Sequence, residues 1–67
     1  MVKSNTNLGY KVGDTIRILS FDDPYVHDYV GREGVIEHID DAGQLHGTWG
    51  GLAIIPGEDG FKVIKEG

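Results

Sequence analysis

The chain has 67 residues and no cysteine, and its six Lys and Arg stand against eleven Asp and Glu, for a formal net charge of −5. A single domain of this size buries only about 60% of the surface that its unfolded chain exposes, and without cysteine it has neither disulfides nor a thiolate nucleophile, which favours a reducing, cytoplasmic setting. Scattered cations and net negative charge argue against nucleic acid or an anionic membrane surface as the partner, and we expect neither a membrane span nor a signal peptide.

The N-terminal part of the sequence divides into a tail and a first strand. Residues 1–9 are polar, and we expect them to form a flexible tail ahead of a domain over residues 10–65. Eleven glycines separate short β-branched runs, and no segment keeps a period near 3.6, so the pattern predicts strands. The first strand is predicted over Thr15–Ser20, with Ile16 and Ile18 on one face.

The only long connection in the chain follows this strand, over residues 21–31, and it is rich in aromatic and acidic side chains. Loops of this length in a small domain are usually functional or packed on themselves. Rings beside carboxylates are typical of a surface that binds a basic, proline-rich peptide. The alternative is structural: Phe21 and one tyrosine cover the mouth of a barrel, and Trp49 fills its core.

A complete β-hairpin is predicted next, over residues 35–49. The loop Asp41-Ala42-Gly43 matches a type I turn followed by a glycine at positive φ, a conformation in which a side chain costs energy. Turn geometry sets the register of a hairpin. It predicts four pairs across the two strands: Asp40 with Gln44, Ile39 with Leu45, His38 with His46, and Val35 with Trp49.

The two faces of this hairpin should differ in burial. One face is predicted to be buried and the other to be wet; the first carries Val35, Ile39, Leu45, Gly47 and Trp49, and the second carries His38, Gln44, His46 and Thr48. Glu37 falls on the apolar face. Either it lies at a barrel rim, or a bulge shifts the outer half of the strand so that Ile36 points inward.

The remainder of the chain supplies two more strands. Gly50 and Gly51 are predicted to form a tight turn, followed by a strand over residues 52–55, a turn over 56–60 and a last strand over 61–64. Five short strands in a small chain need closure to protect their edges. The predicted fold class is therefore all-β, a small five-stranded SH3-like barrel, with the OB-fold less suited to so short a chain.

Two resemblances support this fold. The runs Gly13-Asp14-Thr15-Ile16-Arg17-Ile18 and Gly31-Arg32-Glu33-Gly34-Val35-Ile36 resemble the opening of SH3-like barrels, including KOW-type ribosomal and transcription-factor modules. The chain is also similar, over about residues 10–64, to a family of small bacterial and phage-borne domains of unknown function. The motifs that carry this similarity are Asp22-Asp23-Pro24-Tyr25, Asp40-Asp41-Ala42-Gly43-Gln44, Trp49 and Leu52-Ala53-Ile54-Ile55-Pro56-Gly57-Glu58-Asp59. That resemblance implies the fold and no activity.

Two groups of residues could hold a cation. The first is Asp22, Asp23, His27 and Asp28, although an aspartate before Pro24 also caps a turn by accepting backbone N–H groups. The second is the pair His38 and His46, which could chelate a divalent ion but which also make an ordinary cross-strand contact. The spacing matches no EF-hand loop, and we predict no metal and no cofactor.

No pattern in the sequence indicates catalysis, so we predict a non-enzymatic interaction or accessory module that binds through the loop over residues 21–31. The predicted partner-binding residues are Asp22, Asp23, Tyr25, Tyr29 and Trp49, and the predicted partner is a protein or peptide of basic character. A KOW-like nucleic-acid or ribosome-binding barrel is the alternative from another class. A third is weak homo-oligomerisation through exposed strand edges, the protein being otherwise monomeric.

Overall fold

The structure is a computed structural model, and it describes residues 9–67 with all of their side chains except that of His27. Residues 1–8, which make up most of the predicted tail, lie outside the described residues. Five strands are present: β1 (Thr15–Ser20), β2 (Glu33–Ile39), β3 (Leu45–Gly47), β4 (Gly50–Ile54) and β5 (Gly60–Lys65). A short 3₁₀ segment, Pro24–Tyr29, lies between β1 and β2 and is kinked at Val26. Residues 9–67 include no helix that has the length and hydropathy of a membrane span.

The strands form one antiparallel sheet in the order β4-β3-β2-β1-β5. The first part of β2 pairs with β1 and its second part pairs with β3, so β2 belongs to both halves of the sheet. The last strand, β5, returns to the far side of β1. The predicted fold class, all-β with five strands in a small SH3-like barrel, is confirmed, but the predicted closure is incomplete, because among residues 9–67 β4 and β5 do not pair and form the two edges of the sheet.

The core consists of aliphatic side chains from four strands around one tryptophan. Alternation along β1 buries Ile16 and Ile18, while Arg17 between them is half-exposed. The other buried members are Ile36, Leu45, Trp49 and Ile54. Complete burial of an aliphatic side chain contributes about 1.5–3 kcal/mol, so each of the five aliphatic members contributes on that scale.

The predicted hairpin has the predicted loop and inner register. Gly43 has φ +83°, and its amide donates to the Asp40 carbonyl at 2.9 Å. The pairs Ile39 with Leu45 and His38 with His46 are confirmed. A bulge between Ile36 and His38 places Ile36 opposite Gly47 and buries it completely, while Glu37 is exposed. Of the two interpretations offered for Glu37, the bulge is therefore correct.

The outer end of this hairpin corrects two predictions. The predicted pairing of Val35 with Trp49 is wrong, because Val35 bonds with Thr48 through both its amide and its carbonyl, and its side chain is 36% exposed. The turn lies at Thr48–Trp49, where Gly47 pairs with Gly50, so Gly50 and Gly51 begin β4 instead of forming the turn. At the bulge, Ile36 and Glu37 lie opposite the single residue Gly47, so the pairing beyond it is shifted by one residue. The indole of Trp49 folds back over Gly47, where any side chain would overlap it.

Candidate functional site

A shallow cleft of about 190 Å³ lies between the β1–β2 loop, strand β4 and the β4–β5 turn. We call it the acidic cleft. Its lining combines apolar side chains with carboxylates and, within the described part of the chain, includes no Lys, Arg or His: Phe21, Asp22, Asp23, Val26, Leu52, Ala53, Ile55, Glu58 and Asp59. Sites for drug-sized molecules usually measure about 300–1,000 Å³, so this volume suits a single side chain better than a metabolite.

Asp59 lines the acidic cleft and joins its walls through hydrogen bonds. One carboxylate oxygen accepts the Asp22 amide at 3.1 Å, and the other accepts the Ile55 amide at 2.8 Å. Both bonds are charge-assisted, and they join the β1–β2 loop, the end of β4 and the β4–β5 turn. Both carboxylate oxygens of Asp59 therefore already accept backbone hydrogen bonds, although the carboxylate still adds negative charge to the cleft.

The two neighbouring aspartates of the β1–β2 loop are held less firmly. Asp23 Oδ1 accepts the amide of Tyr25 at 2.9 Å, which is the capping role that the sequence offered for an aspartate before Pro24. Both side chains are exposed, and within residues 9–67 no residue bonds the Asp22 carboxylate. These carboxylates therefore face solvent at the rim of the cleft.

The two tyrosines of the loop have different environments. The Tyr25 side chain is 94% exposed and lies in the loop between two residues that line the cleft. The Tyr29 ring packs edge-on against Phe21, with centroids 6.1 Å apart, and carries the Arg32 guanidinium 4.2 Å above it. Tyr25 is available for contact, whereas Tyr29 braces the base of the loop.

Gly50 lies against the Tyr29 ring, and Trp49 is bonded to Arg32. A side chain at Gly50, whose φ is +140°, would come within 2.9 Å of the Tyr29 ring. Trp49 is only 3% exposed; its indole N–H donates to the Leu52 carbonyl at 2.7 Å, and its own carbonyl accepts from Arg32 at 2.9 Å. The structure does not place Trp49 on the loop surface, because a ring of this size is needed to fill the core.

Of the five predicted site residues, Asp22 and Asp23 line the cleft, Tyr25 lies beside it, Tyr29 supports the loop and Trp49 is in the core. Sequence reasoning missed the opposite wall, which comes from Leu52, Ala53 and the β4–β5 turn. A usable signal was present, since Glu58 and Asp59 form a second acidic pair directly after an apolar strand.

A second depression, of about 330 Å³, lies beside Gly9 and Glu66, but its central charges are already paired. Asp14 is 3% exposed and accepts the Lys11 ammonium at 2.8 Å and the amides of Lys11 and Gly67 at 3.0 Å. The hydrogen bond from Lys11, followed by that from Gly67, lowers the pKa of Asp14, and the same contact raises the pKa of Lys11. This site ties the chain end to the start of β1.

The histidine pair lies where the register placed it, with ring centroids 5.7 Å apart. His46 bonds Asp40 at 2.8 Å, and that hydrogen bond, with others from the Gln44 and Ala42 amides, lowers the pKa of Asp40. Among the side chains described in residues 9–67, no three or more His, Asp or Glu are grouped as metal ligands.

A family model described as Domain of unknown function (DUF4314) matches residues 4–64. The chain belongs to this family. The resemblance to a small family of unknown function is thereby confirmed, and its match begins inside the predicted tail. No curated protein and no solved structure matches the chain.

Proposed function

We propose that this DUF4314 domain is a non-enzymatic interaction module that binds a basic polypeptide segment through the β1–β2 loop and the acidic cleft. The observation that carries the proposal is an apolar cleft rimmed by carboxylates, with no cation among its described lining residues to neutralise them. A partner side chain can bury apolar surface in the cleft while neighbouring Lys or Arg side chains meet the rim.

The electrostatics of the whole chain support the same kind of partner. The net charge of −5 attracts a cationic segment before contact, and the rim concentrates that attraction at one place. The exposed Tyr25 ring adds contact area beside the rim, and tyrosine is among the residues that contribute most at protein interfaces.

Other features favour binding over catalysis or nucleic-acid recognition. The cleft offers carboxylates without a Ser, Thr, Lys or His side chain among its described lining residues, so a nucleophile and its base are not paired there. Among the described residues, Arg17 is paired with Glu33 and Lys11 with Asp14, so neither cation is free for a phosphate contact. The proposal places the domain in the bacterial cytoplasm, encoded by a bacterium or phage; a chain without cysteine is compatible with a reducing compartment.

The proposal is tested by selecting short peptides from a random phage-displayed library against the wild-type domain. We expect the enriched peptides to carry Lys or Arg next to apolar residues. Binding should weaken at least about tenfold in the double variant Asp22→Asn, Asp23→Asn, which removes two rim charges but keeps an acceptor for the Tyr25 amide.

The chain offers a matched control on another Asp-Asp pair. Asp41→Asn removes one exposed charge at the hairpin end, away from the cleft, and should leave peptide affinity within about threefold of wild type. Peptides without positive charge, or equal affinity for wild type and the double variant, would overturn the proposal. So would tighter binding to RNA with a salt dependence that reports several phosphate contacts.

A further inference from the structure

Strand β4 is an edge of the sheet, because it pairs with β3 and with no other strand in residues 9–67. An edge strand presents N–H and C=O groups to any extended chain, and natural proteins usually protect such edges with lysines, prolines or bulges. The opposite edge, β5, has this protection in Lys62, Lys65 and two register shifts against β1. The sequence of β4, Gly-Gly-Leu-Ala-Ile, contains no charge and no proline.

The unprotected edge belongs to one wall of the acidic cleft. Leu52 and Ala53 line the cleft from β4, and Phe21 and Val26 line it from the β1–β2 loop. A segment that enters between these walls in an extended conformation runs beside β4. The approach is unobstructed at Gly51, where a side chain would meet nothing within 4 Å, whereas the Tyr29 ring lies against Gly50 and limits the open edge to residues 51–53.

We infer that the basic partner binds by adding a strand to β4. Alternate side chains of an extended segment point to opposite faces. One set, apolar, enters the cleft, and the other set, Lys or Arg, reaches the carboxylates of Asp22, Asp23 and Glu58 at the rim. Backbone hydrogen bonds to β4 provide affinity, apart from the Leu52 carbonyl, which already accepts the Trp49 indole N–H. The alternation of apolar and basic residues provides specificity. This inference rests on the proposed function and specifies the form of its partner.

Charge selects a basic partner over a second copy of this chain. Two copies paired through β4 would bring two acidic rims together, and each copy already carries a net charge of −5. Like charges placed opposite each other across an interface oppose association. A segment in which Lys alternates with Val or Ile has the opposite charge and the extended propensity that strand addition requires.

The experiment uses an acetylated, amidated peptide of four Lys-Val repeats and an analogue in which every backbone nitrogen is methylated. The analogue keeps all side chains and charges but lacks the N–H groups that a strand donates. Titrations into ¹⁵N-labelled wild-type domain should show at least about tenfold weaker binding of the analogue. Amide hydrogen exchange over residues 51–53 should slow on binding the unmethylated peptide only.

The outcomes separate this inference from the proposal beneath it. If the peptide needs the carboxylates of Asp22 and Asp23 but the methylated analogue binds equally well, strand addition is wrong and the proposed function stands. If the peptide does not bind, or binds the Asp22→Asn, Asp23→Asn variant as well as wild type, both fail. If the free domain sediments as a dimer whose β4 amides are already protected, the edge is occupied by a second copy and the inference is overturned.

Discussion

Two Asp-Asp pairs in this chain have the same composition and different uses. At the hairpin end, Asp40 accepts the Ala42 and Gln44 amides with one oxygen and bonds His46 with the other. Both oxygens of this carboxylate are therefore hydrogen-bonded within the hairpin. In the β1–β2 loop, Asp23 accepts a single amide, and no residue within 9–67 bonds the Asp22 carboxylate. The hairpin turn is thus maintained by its aspartate, and the loop presents its aspartates to solvent.

The difference shows what makes an acidic residue available for recognition. A carboxylate that already accepts several hydrogen bonds is stabilised in its charged form and has little capacity left for a partner. One that faces water exchanges water for a partner's Lys or Arg. Availability therefore depends on how many backbone amides converge on the carboxylate, which follows from the turn type.

The largest expected effect tests whether the stability of the domain depends on Trp49, in the turn after β3, more than on the exposed aromatic side chain of the β1–β2 loop. Trp49→Ala should destabilise the domain by about 3–5 kcal/mol because it empties the core, against a total of roughly 3–10 kcal/mol for a domain of this length. Tyr25→Ala should stay within about 0.5 kcal/mol, since its ring is 94% exposed. Urea unfolding followed by circular dichroism measures both. Comparable losses would contradict the assignment of Trp49 to the core.

Both loops end on a glycine at positive φ, Gly31 at +90° and Gly43 at +83°, with open space where a side chain would be. We expect Gly31→Ala and Gly43→Ala each to destabilise the domain by about 1–2 kcal/mol through backbone strain alone. Gly51→Ala, in a strand and equally uncrowded, is the control and should change stability by less than about 0.5 kcal/mol. A neutral Gly43→Ala would show that the hairpin turn differs from the one described.

Lowering the pH should reveal the contribution of the Asp40 carboxylate to stability. The pKa of Asp40 is lowered from its ordinary value of 3.8, first by the hydrogen bond from His46, so its stabilising contribution is complete above that value and is lost as the pH falls through the folded-state pKa. Asp40→Asn should lower the melting temperature by several degrees at pH 7, and the gap to wild type should narrow below pH 4. Asp41→Asn should keep the wild-type acid slope; parallel curves for wild type and Asp40→Asn would contradict the assignment.

The fold was predictable where the determining chemistry is local. The loop Asp41-Ala42-Gly43 sets its own conformation and the first pairs beyond it, and the alternation in β1 follows from two isoleucines. The turn at Thr48–Trp49 was not predictable in the same way. It depends on the bulge at Glu37 and on burial of the Trp49 indole over Gly47, both of which are set by packing between strands.

The candidate site was likewise predictable only where it is determined by local sequence. An acidic, aromatic loop pointed to Asp22, Asp23 and Tyr25, because loop length and composition are visible in the sequence. The second wall lies about thirty residues further along the chain, and only the path of β4 and the bonds from Asp59 bring it into place. A contact between segments so far apart depends on how the sheet curves, which short-range patterns do not record.

The smallest expected effect on stability is also the most informative for function. Asp23→Asn removes the charge but leaves an oxygen for the Tyr25 amide, so thermal unfolding should match wild type within about 0.5 kcal/mol, whereas Asp23→Ala loses the cap and should melt slightly lower. Peptide binding should follow charge instead, with Asn and Ala equally weak. If Asn binds as wild type does and only Ala fails, then Asp23 acts by shaping the loop, and the attraction of the rim for a cationic segment comes from the other carboxylates of the cleft.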